Sequence, residues 1–475
     1  MAGAGNGLID SELNAENGTY KSNTSALVTL VSIFFFWGFV AASNDILIPV
    51  FKKALHLSQL QSQLISFAFY VAYTVGSILY FVISYLLKSD ILNKIGYRNG
   101  LALGLVISAL GTLLFIPASN NASFVLLISG LFIVGLGFSL QQIAANPLAI
   151  RMGDPSKGNI RLSLAGGINN VGTTIGPVIV SFAIFGGMSA ESNLNLKAVQ
   201  IPYLVLGAAF LLAALVFKFS SVPDKIGDGS DQRKVTIAET IVHPQVILGM
   251  IAIFLYVGVE VATASNLPEF MKQKLGTAEN AVAPYVSLYW ASLMIGRWTS
   301  AAGVFNLSKQ WQFLMGIILP YVAFGIFLLV NWIAGTDLAI FYPYAGIVTI
   351  LIIADKISEG NPSRQLLIYA LLGIVALLIG MFSSGMVSVF AFISVGLFCS
   401  TLWPCIFTLG IQGMGEKTNT ASSLLIMMIM GGGFVSTLQG ALASDKILGI
   451  QLSYLVGVVC FAYLAFYALK MRDSK

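Results

Sequence analysis

Fourteen apolar segments of about twenty residues each constrain the fold of this chain more than any other feature of its sequence. A segment of this length crosses the hydrocarbon core of a bilayer as an α-helix, because every backbone hydrogen bond must be made internally there. Charged residues make up only 9% of the 475 residues, against roughly a quarter in soluble proteins. The sequence therefore predicts an all-α polytopic membrane protein. We place its spans at about 26–50, 58–87, 100–117, 123–150, 161–186, 200–219, 244–270, 281–304, 311–333, 338–354, 366–383, 386–411, 420–443 and 451–470.

A polar segment at 220–243 separates the first six predicted helices from the eight that follow. It carries charges of both signs together with Pro and Gly, a composition typical of linkers. We therefore predict a polar cytoplasmic tail at 1–25, an N-terminal six-helix bundle at 26–219, a cytoplasmic linker at 220–243 and a C-terminal bundle at 244–475.

A weak internal repeat relates the two halves. Pro147 precedes Gly176 by 29 residues, and Pro404 precedes Gly433 by the same 29. The second half is longer by about one helical hairpin, which we assign to residues 311–354. Two six-helix bundles with one inserted hairpin match transporters built from repeats, which place their substrate near the midplane between the repeats.

The placement of lysine and arginine predicts the orientation of the chain. With the N-terminus inside, nineteen of these residues fall on the inner side or at inner helix ends, and six fall on the outer side. Cytoplasmic loops of membrane proteins carry such an excess. We therefore predict a multi-pass protein of the plasma membrane, the inner membrane of a bacterium, with both termini cytoplasmic.

An acid inside the first span is the strongest functional signal. Asp45 follows Asn44 in WGFVAASNDILIP, and at helical spacing it shares a face with Trp37 and Ala41. An ionised acid in the bilayer costs several kcal/mol, so such residues usually line a wet cavity and titrate or bind an ion. The alternative is an acid at the lipid–water boundary, with Pro49 ending the helix.

A second acid, Glu260, lies in the seventh span on a face with Tyr256. Asp45 and Glu260 are the two acids that we place within spans and away from their ends. We predict that Glu260 takes part with Asp45 in proton coupling and contacts the ligand; the alternative is a hydrogen-bonded carboxyl group that holds helices together. Trp37 and Tyr256 share faces with these acids, so we predict that they line the cavity, whereas the other aromatic residues belong to packing or the interfacial belt.

Amide side chains cluster in the fourth and fifth spans. Gln142 and Asn146 are four residues apart and share a face, with Gln141 beside them, and Asn169 and Asn170 follow in the next span. Amides offer donors and an acceptor without charge, which suits a neutral ligand rich in hydroxyl groups. For Gln142 and Asn169 we favour the cavity, and the others could equally join helices, a common role of amides in lipid.

Arg297 lies at the inner end of the eighth span. We predict that it pairs with a loop acid and closes an inner gate; the alternative is the general excess of positive charge inside. Walker sequences, metal-ligand spacings and nucleophile–base arrangements are absent from the sequence. We therefore expect no enzyme activity, no metal and no cofactor, and any uphill work must use an ion gradient.

Several motifs in order resemble the fucose–galactose–glucose:proton symporter family of the major facilitator superfamily. They are NDILIP in the first span, LQxxAANP in the fourth, YVGxE in the seventh, IGR in the eighth, and PCIFTLGI followed by SSxxxMxxxGGG. The resemblance covers about 34–445 except the hairpin at 311–354, and it implies the major facilitator fold.

The resemblance also implies roles for single residues. Asp45 would be the titrating acid, with Asn44, Gln142, Asn169 and Glu260 around the sugar. Gln142 stands where the fucose branch has a glutamate, so the chain is similar to the glucose/galactose branch. It departs from the family at Gly166-Gly167, where relatives carry a Gln-Ala-like pair, and this departure leaves the preferred hexose open.

We therefore expect proton-coupled uptake of a glucose- or galactose-like hexose by alternating access. The alternatives are coupling to sodium, export of amphiphilic compounds, and a sensor that binds sugar without moving it. The expected partners are the sugar and the lipid bilayer, without nucleic acid, and we expect a monomer.

Overall fold

The computed structural model describes residues 24–56, 59–153, 157–185, 200–224, 237–277, 279–301 and 307–472. At 24, 41–54, 59–66, 177–185, 279–281, 283, 301 and 416 this description covers the backbone only. Asp45 and Asn44 fall in these backbone-only stretches, so their side chains lie outside the described residues.

Among the residues that the structure describes, the first half forms eight α-helices. They are α1 (Thr24–Ala54), α2 (Gln59–Leu86), α3 (Ile91–Ile95), α4 (Tyr97–Leu113), α5 (Phe115–Asn120), α6 (Phe124–Arg151), α7 (Gly158–Phe185) and α8 (Gln200–Phe219). The described part of the second half forms twelve. They are α9 (Ile237–Ile241), α10 (Pro244–Leu275), α11 (Glu279–Ala301), α12 (Lys309–Ile333), α13 (Tyr344–Ser358), α14 (Pro362–Phe382), α15 (Gly385–Cys399), α16 (Leu402–Ile411), α17 (Thr418–Met427), α18 (Gly431–Leu442), α19 (Gly449–Leu452) and α20 (Leu455–Arg472).

The all-helical prediction is confirmed. Within the described residues there are no strands, and eleven helical segments are long and apolar enough to cross a membrane. The observed helices follow the predicted spans closely; the span predicted at 123–150, for example, is the helix Phe124–Arg151. The count of fourteen crossings stays a prediction.

The chain divides into two compact units that do not coincide with its two sequence halves. Unit 1 comprises residues 1–158, 175–246 and 411–428, and unit 2 comprises 159–174, 247–410 and 429–475. Each half of the sequence therefore contributes one short segment to the unit that is built mainly from the other half. The predicted division into two bundles joined by a linker stays a prediction.

Small residues bring α4 and α6 together in unit 1. A Cβ atom on Gly111 would lie 2.8 Å from the carbonyl oxygen of Gly130, and one on Gly104 would lie 2.8 Å from that of Gly137. Both pairs are seven residues apart, so they repeat along one seam between the helices. Glycine lets backbones approach closely in membrane proteins, where packing rather than water drives helix association.

Replacing Gly111 with alanine is expected to destabilise the protein by about 1–3 kcal/mol, the usual cost of overpacking. The added methyl group would meet backbone atoms, 2.7 Å from the amide nitrogen of Val134, and these cannot turn aside as a side chain could. Thermal unfolding of the purified protein measures the effect. Gly440→Ala is the control, because nothing lies within 4 Å of the methyl group it would add; equal midpoints for the two variants would contradict the prediction.

The extra helices α12 and α13 pack within unit 2 rather than extending from it. The hydroxyl group of Tyr344 lies 2.7 Å from that of Ser292 on α11, and Asn331 donates to Ser287 over 3.4 Å. The ring of Tyr285 on α11 lies 5.1 Å from that of Phe341, in the connection between α12 and α13. The hairpin is thus joined to α11 by buried polar contacts and by aromatic packing.

Candidate functional site

In unit 1, Trp37 is part of a buried bridge between three helices. Its ring nitrogen donates to Oε1 of Gln141 over 2.8 Å, and Nε2 of Gln141 donates to the hydroxyl group of Ser108 over 3.1 Å. The indole is only 5% exposed and lies 4.3 Å from the ring of Phe34. Trp37 therefore positions α1 against α4 and α6, and its place in a cavity with Asp45 stays a prediction.

Gln142 points to a different partner, which the sequence did not indicate. Its Nε2 atom donates to the hydroxyl group of Tyr73 on α2 over 3.2 Å. Tyr73 is buried, and its carbonyl oxygen accepts from the hydroxyl group of Ser139. Gln142 itself is half-buried. One amide nitrogen is thus oriented by a buried tyrosine, in a side chain that is still partly accessible.

Asn146 lies one helical turn beyond Gln142 and is only 1% exposed. Neither its amide nitrogen nor its amide oxygen has a hydrogen-bond partner among the described residues. Leaving a buried polar group unsatisfied costs about 1–3 kcal/mol, so natural proteins rarely do it without a reason. Asn146 could therefore hydrogen-bond a polar ligand or a water molecule.

In unit 2, Glu260 and Tyr256 lie one turn apart on α10 and interact electrostatically with each other, and Glu260 also interacts with Arg297. The hydroxyl group of Tyr289, on α11, donates to the carbonyl oxygen of Glu260 over 2.8 Å. The ring of Tyr256 lies 6.2 Å from that of Trp403. Unit 2 thus brings together an acid, a guanidinium group and aromatic rings, three kinds of group that bind sugars.

Arg297 binds neutral oxygens, so the expected loop acid is not its partner among the described residues. Its Nε atom donates to the carbonyl oxygen of Ser400 over 2.8 Å. Its Nη1 atom donates to the carbonyl oxygen of Gly166 over 3.0 Å and to Oδ1 of Asn170 over 3.1 Å. The guanidinium group is buried. Arg297 therefore ties α11 to α7 and to the end of α15 through three hydrogen bonds from its planar guanidinium group.

Asn169 lies beside Asn170 in the part of α7 that belongs to unit 2, and it is half-buried. The structure thus places Tyr256, Glu260 and Arg297 together, with Asn169 on the helix that Arg297 holds. Trp37, Gln142 and Asn146 lie in unit 1. No group of three or more His, Cys, Asp or Glu side chains that could hold a metal ion occurs among the described residues.

The family model described as Major Facilitator Superfamily matches residues 26–354. The chain belongs to this superfamily. It is 31% identical over 463 residues to a glucose/galactose transporter of Brucella abortus biovar 1 (strain 9-941), covering 96% of each chain. It is 30% identical over 460 residues to a putative glucose/galactose transporter of Helicobacter pylori (strain J99), covering 94% of this chain and 97% of the relative.

Solved structures of the superfamily share the fold. A crystal structure of the Escherichia coli fucose:proton symporter FucP has a TM-score of 0.70 and 25% sequence identity, over 94% of this chain and 98% of that one. The family resemblance predicted from the motifs is confirmed, and so is the major facilitator fold. Superfamily members are multi-pass membrane transporters rather than enzymes.

In this member of the superfamily, the Gly166-Gly167 pair makes room for two side chains of α11. A Cβ atom on Gly166 would lie 3.0 Å from Nη1 of Arg297, and one on Gly167 would lie 2.7 Å from Cδ1 of Trp298. From the sequence, the pair was interpreted only as the loss of a hydroxyl partner. Its structural role is the close approach of α7 to the arginine and tryptophan of the eighth predicted span.

Replacing Gly167 with leucine is expected to lower stability by at least about 1–3 kcal/mol, because the new side chain would overlap the buried part of the Trp298 ring. Its displacement should also disturb the neighbouring Arg297 contacts and slow transport. Thermal unfolding and sugar uptake by the same preparation measure both effects. Gly325→Leu on α12 is the matched control, since nothing lies within 4 Å of a Cβ atom there; a Gly167→Leu variant as stable as that control would refute the packing role.

The sequence did not indicate a third acid within a helix of the predicted spans. Asp355 lies just beyond the span predicted at 338–354, but α13 continues to Ser358 and includes it. Its Oδ1 atom accepts from the hydroxyl group of Ser300 over 2.5 Å and from Nε2 of Gln365 over 3.0 Å. Asp355 was not among the two acids predicted within spans and away from their ends, because it lies in the last turn of α13. This acid joins the hairpin to α11 and α14.

Proposed function

We propose that the chain is a proton-coupled symporter that takes up a glucose- or galactose-like hexose by alternating access. One observation carries the proposal: 31% identity across 96% of both chains to a protein named glucose/galactose transporter. A second relative, 27% identical over 478 residues, is the L-fucose-proton symporter of Escherichia coli. Similarity over the whole length supports a shared substrate class and a shared energy source.

The candidate side chains of each unit suit a neutral polyol. Gln142, held by Tyr73, and the unsatisfied Asn146 offer amide donors and acceptors, and hydroxyl groups can both donate to and accept from amides. On α10, Glu260 offers a carboxyl group beside the ring of Tyr256. A carboxyl group accepting from a pair of sugar hydroxyl groups, with a ring against the apolar face, is a suitable arrangement for a hexose.

For coupling, we propose that Asp45 carries the proton and that Glu260, which interacts with Tyr256 and Arg297, takes part both in coupling and in sugar binding. The span that contains Asp45 has no basic residue before Lys52. Protonation can therefore neutralise Asp45, and the side chain can pass through the conformational change of the transport cycle without charge.

Alternating access requires contacts that form on one side of the membrane and break when that side opens. We propose that these contacts are made by residues 159–174 and 411–428, the two exchanged segments, each of which belongs to the unit built mainly from the other half of the chain. In unit 2, Asn159 donates to the carbonyl oxygen of Gly360, and Arg297 binds Gly166 and Asn170. In unit 1, Arg151 donates to the hydroxyl group of Thr418, and Tyr97 to Oδ1 of Asn419.

The two exchanged segments also occupy matching positions in the predicted repeat. An offset of 257 residues relates Pro147 to Pro404, and the same offset carries 159–174 onto a range overlapping 411–428. The predicted orientation places Arg98, Arg151 and Lys417 at the cytoplasmic side. We therefore propose that both sets of contacts close the cytoplasmic side and separate together when the transporter opens inward.

The remaining architectural proposals follow from the same orientation. We propose fourteen crossings, adding α1, α7 and α11 to the eleven segments that meet the length and hydropathy criteria. We further propose cytoplasmic termini, a bacterial inner membrane and a monomeric transporter. The exchange of segments between units makes each half of the chain depend on the other, which is consistent with function as a single chain.

The test is transport by the purified chain in proteoliposomes across a panel of hexoses. We expect counterflow of radiolabelled glucose or galactose, and accumulation when an inward pH gradient is imposed without sodium. Accumulation that requires a sodium gradient would replace the proton with sodium. Binding of hexoses without counterflow would indicate a sensor, and stabilisation by amphiphiles but not by hexoses would indicate an exporter; either result would overturn the proposal.

A further inference from the structure

The hairpin formed by α12 and α13 carries a groove that the transport mechanism does not use. A cavity of about 500 Å³ lies between the two helices. Its walls are one stripe from each helix at a spacing of four residues: Phe313, Ile317 and Tyr321 on α12, and Ile353 and Ile357 on α13. Four-residue spacing aligns side chains along one face of a helix, so the two stripes run side by side as an elongated apolar channel.

The groove opens toward the lipid. Only 28% of the apolar window of α12 and 33% of that of α13 is buried, against 78% of the window in Gly385–Ile411. Phe313, Ile353 and Ile357 are each more than half exposed. In a membrane-spanning hairpin, such side chains face acyl chains, and a channel between them can hold one acyl chain along its length.

A single cation lies at one end of this apolar channel. The ammonium group of Lys356 lies over the ring of Phe313, 5.0 Å from its centre, and forms no ion pair with any residue that the structure describes. Its neighbour Asp355 interacts with it electrostatically but directs its Oδ1 atom to Ser300 and Gln365. The nearby Arg364 is already paired with Glu359 at 2.7 Å. The positive charge of Lys356 is therefore available to an anion at the mouth of the groove.

The predicted orientation places the ammonium group of Lys356 on the side of the membrane that carries anionic lipid head groups. Lys356 is in the last turn of α13, two residues before the helix ends, and its charge belongs to the predicted cytoplasmic side. The cytoplasmic leaflet carries the anionic lipids, and basic pockets between helices on that side bind anionic head groups. At the other end of the groove, the hydroxyl groups of Tyr321 and Thr349 hydrogen-bond to each other at 2.8 Å. No polar ligand is needed there to complete their hydrogen bonding.

We propose that this groove binds an anionic phospholipid of the cytoplasmic leaflet, with one acyl chain between the stripes and the phosphate group at Lys356. The bound lipid would pack against the hairpin and so stabilise unit 2, to which the hairpin belongs. This role is separate from sugar transport, and it gives the inserted hairpin a ligand of its own.

Native mass spectrometry of the full purified chain, with phosphatidylglycerol and phosphatidylcholine of identical acyl chains, tests the proposal. We expect the wild type to retain phosphatidylglycerol about fivefold better, the preference that one lysine near the membrane surface supplies. Lys356→Gln should bring the preference close to one. Gly316→Ala should reduce it too, since the added methyl group would lie 2.5 Å from the ammonium nitrogen and displace it.

Two further variants separate the groove from general attraction. Ile353→Trp should reduce the binding of both lipids by filling the channel. Lys218→Gln, at the last turn of α8 in unit 1, removes a charge from the same predicted side and should leave the preference unchanged. Hexose counterflow confirms that each variant is folded. The proposal is overturned if Lys356→Gln keeps the full preference, or if Lys218→Gln loses as much of it.

Discussion

Replacing Asp45 with asparagine is expected to abolish proton-driven accumulation of the hexose while leaving sugar exchange measurable. Asparagine keeps the shape and a hydrogen-bonding amide but cannot bind or release a proton at any pH of the assay. One proton moving down 100 mV supplies about 2.3 kcal/mol, which corresponds to a concentration ratio of about fiftyfold. The variant should therefore accumulate no more sugar inside than outside, a loss of the whole of that ratio.

The measurement compares uptake down a pH gradient with counterflow in the same proteoliposomes. Asp337→Asn is the matched control, because that aspartate is exposed and only accepts from the backbone of its own turn. It should accumulate sugar like the wild type. Full accumulation by Asp45→Asn would remove Asp45 from the coupling mechanism, and loss of counterflow as well would assign it to binding instead.

Replacing Arg297 with alanine is expected to reduce hexose uptake by more than about tenfold. It would leave two buried carbonyl oxygens and one amide oxygen without their donor, each at a cost of about 1–3 kcal/mol. The contact between α7 and α11 in unit 2 would then lose its polar connection. Arg297→Lys should restore only part of the activity, because one ammonium group cannot reproduce the planar fork that reaches Ser400 and α7 together.

Arg364→Ala provides the control within the same unit. Arg364 and Glu359 are 49% and 74% exposed, and exposed ion pairs contribute about 0–1 kcal/mol, so uptake and thermal midpoint should be unchanged. Sugar binding by Arg297→Ala, measured at a temperature where it is folded, should persist within a few-fold if the arginine acts in gating. Uptake at the wild-type rate would show that neither gating nor stability depends on it.

The helices were predictable because each apolar run is long and is read from local composition alone. Helical spacing also indicates which residues share a face, so Gln142 and Asn146 could be placed together one turn apart on one helix. The hydrogen-bond partners of Trp37 and Gln142 were not predictable. Trp37 donates a hydrogen bond to Gln141, and Gln142 donates one to Tyr73 on a helix about 70 residues earlier in the chain. The local sequence around these residues does not indicate either pairing.

The residues around Arg297 show a second limit of sequence reasoning. Its partners are mostly backbone carbonyl oxygens, and every residue carries one, so no residue type signals them. Gly166 and Gly167 are informative only once the distance to Arg297 and Trp298 is known. Asp355 was missed for a simpler reason: apolar composition falls before the helix ends, so the span was drawn short of the acid.

Hexose-induced proton movement tests the central claim most directly. Purified wild-type protein in sodium-free proteoliposomes, with a pH-sensitive dye outside, should alkalinise the external medium when glucose or galactose is added, because each sugar enters with a proton. Hexose entry without any change in external pH would contradict proton-coupled symport.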